Sequence, residues 1–167
     1  MTEKEFNIKV IPLRDKMYRF ARAIMEDDSL AEDKVHDVME RMWLNRRNLD
    51  HYSNLEAFVM VSVRNACYDA LRRKRILRNH DMLQDSIVEE TEIWDMRKML
   101  HSAISLLDDR ERTVVHLKDV EGYETSEIAE ILSIQENNVR AVLSRARQEL
   151  RKNIGKIMNY GLNSIKK

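Results

Sequence analysis

Apolar residues recur three and four positions apart along most of the chain, and this spacing predicts helix after helix. Over residues 8–26 the pattern runs through Val10, Leu13, Met17, Phe20 or Ala21, and Ile24. Pro12 fits only the first turn of such a helix, so the helix proper is expected to begin near Ile11. The acidic run from Glu26 to Ser29 breaks it. Ser29, with Glu32 three residues on, has the form of a capping box and opens a second helix. Ala31, Val35, Val38, Met39 and Met42 line its inner face. A polar loop, Asn45 to Asn54, precedes a second apparent box at Ser53 and Glu56. The third helix then runs to about Arg75, with Leu55, Phe58, Val59, Val63, Ala66, Ala70 and Leu71 inward. From about Leu77 to Asp95 the periodicity fades into an acidic stretch that reads as a linker. A fourth helix follows with Met96, Met99, Leu100, Ala103, Ile104 and Leu107. Asp108 or Asp109 is expected to cap a fifth, which holds Val114, Val115, Leu117 and Val120. Gly122 should end it, since glycine takes the left-handed conformation without strain.

Thr125 to Lys152 reads as two helices with a tight turn between them. Ser126 can cap the first, whose apolar face is Ile128, Ala129, Ile131 and Leu132. Ser133 and Ile134 fall at the turn. The second starts near Glu136 and turns Val139, Val142, Leu143, Ala146 and Leu150 inward. Its other face carries Asn137, Asn138, Arg140, Ser144, Arg145, Arg147 and Arg151, with Ala141 among them. That is the layout of a helix-turn-helix whose second helix enters a DNA major groove. An antiparallel helix pair with a solvated basic face has the same pattern. Past Gly155 the tail is weakly patterned.

Composition narrows the class. Three Gly and one Pro leave little room for β-turns, so the chain is expected to be all-α. A single Cys excludes a disulfide framework and a Cys-rich zinc site. No run approaches the roughly 20 apolar residues of a membrane span, and the N-terminus lacks the apolar core of a signal peptide. A cytoplasmic protein, not inserted in a membrane, is expected.

The formal net charge is zero, but it is unevenly spread. Residues 64–78 carry six basic and one acidic residue; residues 126–167 carry eight and four. Between them, residues 79–125 hold five basic and twelve acidic. Two basic zones flanking an acidic one suggest two separate anion contacts. Five basic residues in the last turns of the third helix exceed what helix-end electrostatics calls for, which favours a phosphate-binding surface. On the second helix, Trp43 beside exposed carboxylates fits either a partner site or core closure. Phosphate loops, zinc-protease signatures and nucleophile elbows are absent from the sequence. The five His are scattered without i, i+4 pairing. Neither catalysis nor a metal or other cofactor is expected.

In combination these motifs resemble the extracytoplasmic-function sigma factors of the sigma-70 family, over about residues 8–155. AEDKVHDVMERMW resembles the clamp-binding helix of region 2, and LEAFVMVSVRNACYDALRRKR its promoter-melting helix. LLDDRERTVVHLKDVEGYETSEIAEIL and NNVRAVLSRARQEL resemble region 4. His36 stands where Gln is common, Phe58-Val59 replaces a usual Trp-Leu, Ser133 replaces a usual Gly, and Asn137-Asn138 a common Gly-Thr.

The resemblance implies two small helical domains, at residues 1–78 and 96–167, joined by an acidic linker at 79–95. It implies a promoter-specificity subunit that binds core RNA polymerase, reads duplex DNA at a −35 element and opens and reads a −10 element. An anti-sigma factor is a further partner that many relatives have, and no residues in the sequence can be named for it. Core polymerase would meet Asp33, His36, Asp37, Met39 and Trp43. The −35 element would meet Asn137, Asn138, Arg140, Ala141, Ser144, Arg145, Arg147 and Arg151. The opened −10 strand would meet His51, Tyr52 and Asn54 in the loop, and Arg64, Asn65, Arg72 and Arg73 on the helix. A stand-alone helix-turn-helix regulator, binding duplex DNA as a dimer, is the alternative.

Overall fold

The computed structural model describes residues 1–78 and 96–164, with side chains described for residues 1–74 and 96–159. The expected acidic linker, residues 79–95, lies outside the described residues. Eight α-helices account for most of the described chain: α1 Glu3–Lys9, α2 Arg14–Met25, α3 Asp28–Leu44, α4 Leu55–Arg78, α5 Met96–Ser105, α6 Asp109–Val115, α7 Thr125–Leu132 and α8 Glu136–Ser164. Short 3-10 turns at Ile11–Leu13 and Arg46–His51, and one π turn at His116–Val120, join them. The described residues contain no strand, so the all-α expectation holds.

The first predicted helix divides in two. Pro12 lacks an N–H and its ring crowds the preceding turn. The chain therefore passes through a 3-10 turn and restarts at Arg14. The short α1 ahead of it was not foreseen. Thr2 and Glu5 cap it reciprocally, and Phe6 and Val10 bury completely or nearly so. Glu26 ends α2 in the left-handed conformation, at φ 52°.

Three expected caps are displaced by one or two residues. Asp27, not Ser29, caps α3, its carboxylate accepting from Leu30 N at 3.1 Å. Asn54, not Ser53, caps α4, its Oδ1 accepting from Ala57 N at 3.0 Å. Glu124, not Ser126, begins α7, in a box with Glu127. In each case two or three cap-competent residues stand side by side, and the turn before the helix selects among them. Asp108 caps α6 as expected, and Gly122 takes φ +77°. Asn54→Ala should therefore lower stability by about 1 kcal/mol, while Ser53→Ala should leave the thermal midpoint unchanged. Equal effects of the two changes would refute this assignment.

α8 does not fade at Gly155. It runs unbroken from Glu136 to Ser164. Asn153, buried, donates from Nδ2 to the Ala103 carbonyl at 3.2 Å, which ties the far half of α8 to α5. Val120, expected inside α6, instead lies in the π turn and is exposed.

Helices α2, α3 and α4 form one bundle around Met17, Phe20, Ile24, Val38, Met60 and Val63. Helices α6, α7 and α8 form the helix-turn-helix unit, with Val114, Leu117, Ile128, Ile131, Val139 and Val142 inside. The two sets are not separate: these buried residues belong to one continuous cluster. Phe20 of α2 stacks on His116 of the π turn, with ring centroids 6.2 Å apart. Ser133 holds the turn between α7 and α8 in the left-handed conformation at φ 54°, despite carrying a side chain.

Candidate nucleic-acid and polymerase interfaces

The helix-turn-helix presents α8 outward because Val139, Val142 and Ala146 are buried against α6 and α7. All eight residues assigned to this face from the sequence are exposed: Asn137, Asn138, Arg140, Ala141, Ser144, Arg145, Arg147 and Arg151. Arg140, Leu143, Ser144, Arg147 and Arg151 line a shallow groove along it. Their states differ. Arg140 Nη2 pairs with Glu136 at 2.8 Å, and its Nη1 reaches Asn137 Oδ1 at 3.1 Å. Arg147 is held by Asp119 through Nη2 at 2.5 Å and Nε at 3.3 Å, and this bond raises its pKa above the ordinary arginine value. Arg145 and Arg151 have no ion pair among the described residues. Exposed pairs of this kind are worth under about 1 kcal/mol, so phosphate or a base edge can displace them. Gln148, exposed, continues the outermost line through Asn137, Ala141 and Ser144. It was missed, although the i, i+4, i+7, i+11 spacing marks it.

On α4, Asn65, Arg72 and Arg73 are exposed on one face, and Arg72 pairs with Asp69 at 3.1 Å. Tyr68, 37% exposed, joins Asn65, Asp69 and Arg72 on that face and was also missed. Arg64 departs from the expected grouping. Its Nη1 donates to the Ile131 carbonyl at 2.5 Å and to Ser133 Oγ at 3.2 Å, and its Nη2 to Asn65 Oδ1 at 2.7 Å. Burial in this contact lowers its pKa from the ordinary value, and the guanidinium stays charged.

The loop before α4 is a 3-10 turn rather than an irregular segment, and Leu49 anchors it in the core. Tyr52, 44% exposed, lies flat on Phe58 at 3.6 Å between centroids, with 19° between the rings. His51 is exposed beside it. Asn54 is fixed by the cap, its Oδ1 accepting from Ala57 N, and its amide donors carry no bond to the cap. Glu56, expected to cap, points elsewhere: Lys16 Nζ and Tyr123 Oη both donate to its Oε1, at 2.7 and 2.6 Å.

On α3, Asp33, His36 and Asp37 are exposed and Asp37 pairs with Lys34. Met39 and Trp43 are half-buried on the flank. Trp43 meets Phe6 edge-on at 5.2 Å and the Arg46 guanidinium covers its ring at 4.1 Å. It therefore closes the core and keeps part of its surface outside. Leu44, 70% exposed, lies on the same line as Asp33, Asp37 and Glu40 and is the apolar residue this stripe offers most openly. It too could have been found from the spacing.

Among the described residues, no group of three or more His, Cys, Asp or Glu is placed to hold a metal ion, and no helix is long and apolar enough to cross a membrane. Two family models match the chain, "Sigma-70 region 2" over residues 11–76 and "Sigma-70, region 4" over residues 97–150. The chain is 27% identical over 153 residues to the ECF RNA polymerase sigma factor SigM of Bacillus subtilis, covering 88% of this chain and 91% of that one. It is 22% identical to SigW of the same organism, covering 84% of each. In fold it is similar to the sigma factor RpoE of Bartonella quintana, solved in complex with the anti-sigma factor NepR. The TM-score is 0.77 and identity 21%, covering 91% of this chain and 98% of that one. CnrH, solved in complex with the cytosolic domain of CnrY, gives a TM-score of 0.67 at 19% identity, covering 93% and 90%.

Proposed function

The chain belongs to the sigma-70 family, among the extracytoplasmic-function sigma factors, and from that membership we propose how its surfaces divide the work of promoter recognition. It binds core RNA polymerase and directs it to promoters carrying particular −35 and −10 elements. The observation that supports this reading most directly is the presence of both matched regions on one chain, each bearing an exposed face suited to its partner.

The outward face of α8 meets duplex DNA. Arg140 and Asn138 near its start read base edges, while Arg145, Arg147 and Arg151 hold phosphates. The face of α4, with Asn65, Arg72 and Arg73, holds the backbone of the opened strand. Strand opening without fuel needs a site that binds the open strand better than the closed duplex. Tyr52, backed by Phe58, offers one ring face on which an unstacked base can stack, worth about 1–3 kcal/mol. The stripe Asp33, His36, Asp37, Met39 and Trp43 meets the polymerase. The domains are taken as residues 1–78 and 96–167. The protein acts by binding rather than by catalysis, in the cytoplasm, where polymerase and DNA are, and an anti-sigma factor is a further expected partner.

The test is association. The protein should co-migrate with core polymerase in size-exclusion chromatography and should protect promoter DNA from nuclease only when polymerase is present. A symmetric footprint without polymerase would favour the stand-alone dimeric regulator instead.

A further inference from the structure

We propose that the cavity lined by α2, α5 and α6 is a binding site for a small neutral organic molecule, an aryl or alkyl alcohol whose hydroxyl meets Arg112 and His116. The proposal stands apart from the promoter-specificity reading above.

The cavity has a volume of about 310 Å³, at the lower end of the roughly 300–1,000 Å³ that small-molecule sites occupy. Ala23 of α2, Ile104 of α5 and Val115 of α6 give it apolar walls, and the exposed Val120 of the π turn stands at its rim. Such walls offer water few partners, whereas a hydrocarbon body gains by leaving water for them.

One part of the wall is polar and unsatisfied. Arg112 and His116 are four residues apart, so they share a face, and both line the cavity. Arg112 is 5% exposed. Its Nη1 is taken by Glu26 and the Ser105 carbonyl, and its Nη2 by Asp109. Its Nε is buried and has no hydrogen-bond partner among the described residues. The same holds for His116 Nε2: Glu121 lies 3.4 Å away, but both of its oxygens are held by Arg19. The stack on Phe20 fixes the plane of the imidazole. Burial holds His116 below the ordinary histidine value, against the pull of Glu121. The ring is therefore neutral at pH 7, with one nitrogen donating and the other accepting. Buried polar atoms are rarely left without a partner, and these two line one space large enough for a ligand. The π turn that carries His116 is itself a conformation found most often at functional sites.

A hydroxyl fits this pair in either tautomer. It accepts from Arg112 Nε, and it either donates its proton to His116 Nε2 or accepts from that nitrogen as well. Charge decides against an ion. The three arginines of the lining are already paired: Arg19 with Glu121, Arg22 with Asp28 at 2.6 Å, and Arg112 with both Glu26 and Asp109. A carboxylate or phosphate ligand would lose its hydration and find no uncompensated cation in return.

Benzyl alcohol, toluene and benzoate, each titrated into the full chain, test the site. Amide shifts of Ala23, Ile104 and His116 in two-dimensional NMR spectra give the affinities. Benzyl alcohol should saturate these shifts with a Kd on the order of 0.1–1 mM, as befits so small a ligand. Toluene should bind about tenfold more weakly, the effect of the missing hydroxyl, and benzoate more weakly than benzyl alcohol. Ala23→Leu, which grows into the cavity, should abolish all three responses. His116→Phe, which keeps the stack on Phe20 and removes Nε2, should shrink the preference for the alcohol over toluene to about threefold or less. No saturable shift with benzyl alcohol, or shifts that persist in Ala23→Leu, would overturn the site. Equal affinity for toluene, tighter binding of benzoate, or a preference untouched by His116→Phe would overturn the assigned chemistry. None of these readouts involves polymerase or DNA, so failure here leaves the promoter-directing function standing, and failure of that function leaves these readouts unchanged.

Discussion

Leu44→Asp is expected to weaken binding to core RNA polymerase by about 30-fold or more while leaving the melting temperature where it was. The side chain is 70% exposed at the end of α3 and lies in line with Asp33 and Asp37, so its loss removes no core packing. Aromatic and apolar anchors of such stripes typically contribute 2 kcal/mol or more on truncation, and a carboxylate placed in the same contact adds desolvation. Trp43→Ala should weaken binding comparably and also lower stability by about 2 kcal/mol, because the indole packs on Phe6 and lies under Arg46. Binding kinetics against immobilised core polymerase, with thermal melts in parallel, check both. If both variants are folded and bind with wild-type affinity, this side of α3 is not the polymerase surface.

Within the recognition helix, two arginines are expected to fail differently. Arg140→Ala should flatten base preference in the −35 element by about 1–3 kcal/mol at one position. It releases only an exposed pair with Glu136 and Asn137, so stability should change little. Arg151→Ala, which frees no ion pair among the described residues, should weaken all sequences alike and reduce the salt slope by roughly one. A selection from randomised −35 duplexes, followed by salt titrations on the winners, separates the two. The same selected sequences for wild type and Arg140→Ala would remove Arg140 from base readout.

The sequence made the helices legible because their apolar spacing is local. Val139, Val142 and Ala146 fall inward and the basic residues outward as the 3.6-residue repeat requires. Gly122 was legible for a similar reason, since its φ of +77° is a property of one residue. The caps were less so, because Asp27 stands two residues from Ser29 and Asn54 beside Ser53, and the choice depends on how the preceding turn arrives. The extent of α8 was hidden because its far half is secured by Asn153 bonding to Ala103, fifty residues away. The packing between the α2–α4 bundle and the helix-turn-helix unit left the faintest trace. Arg19 and Glu121, or Arg64 and Ile131, are ordinary surface and core residues in any local window. Leu44, Tyr68 and Gln148 are a different matter. Each lies on a line already recognised, and extending the helical count by one more turn would have included them.

Reconstituted transcription shows whether this chain confers promoter specificity on RNA polymerase. Core polymerase alone, core with this protein, and this protein alone would be given a library of genomic fragments, and the RNA 5′ ends mapped. Discrete start sites are expected only in the mixture, sharing one −35 and one −10 motif. Templates pre-opened by mismatches at −10 should restore part of the activity of Tyr52→Ala, whose loss would lie in strand opening. Transcripts from the mixture that begin at the same scattered positions as with core alone, from protein that is folded, would show that the chain confers no promoter specificity.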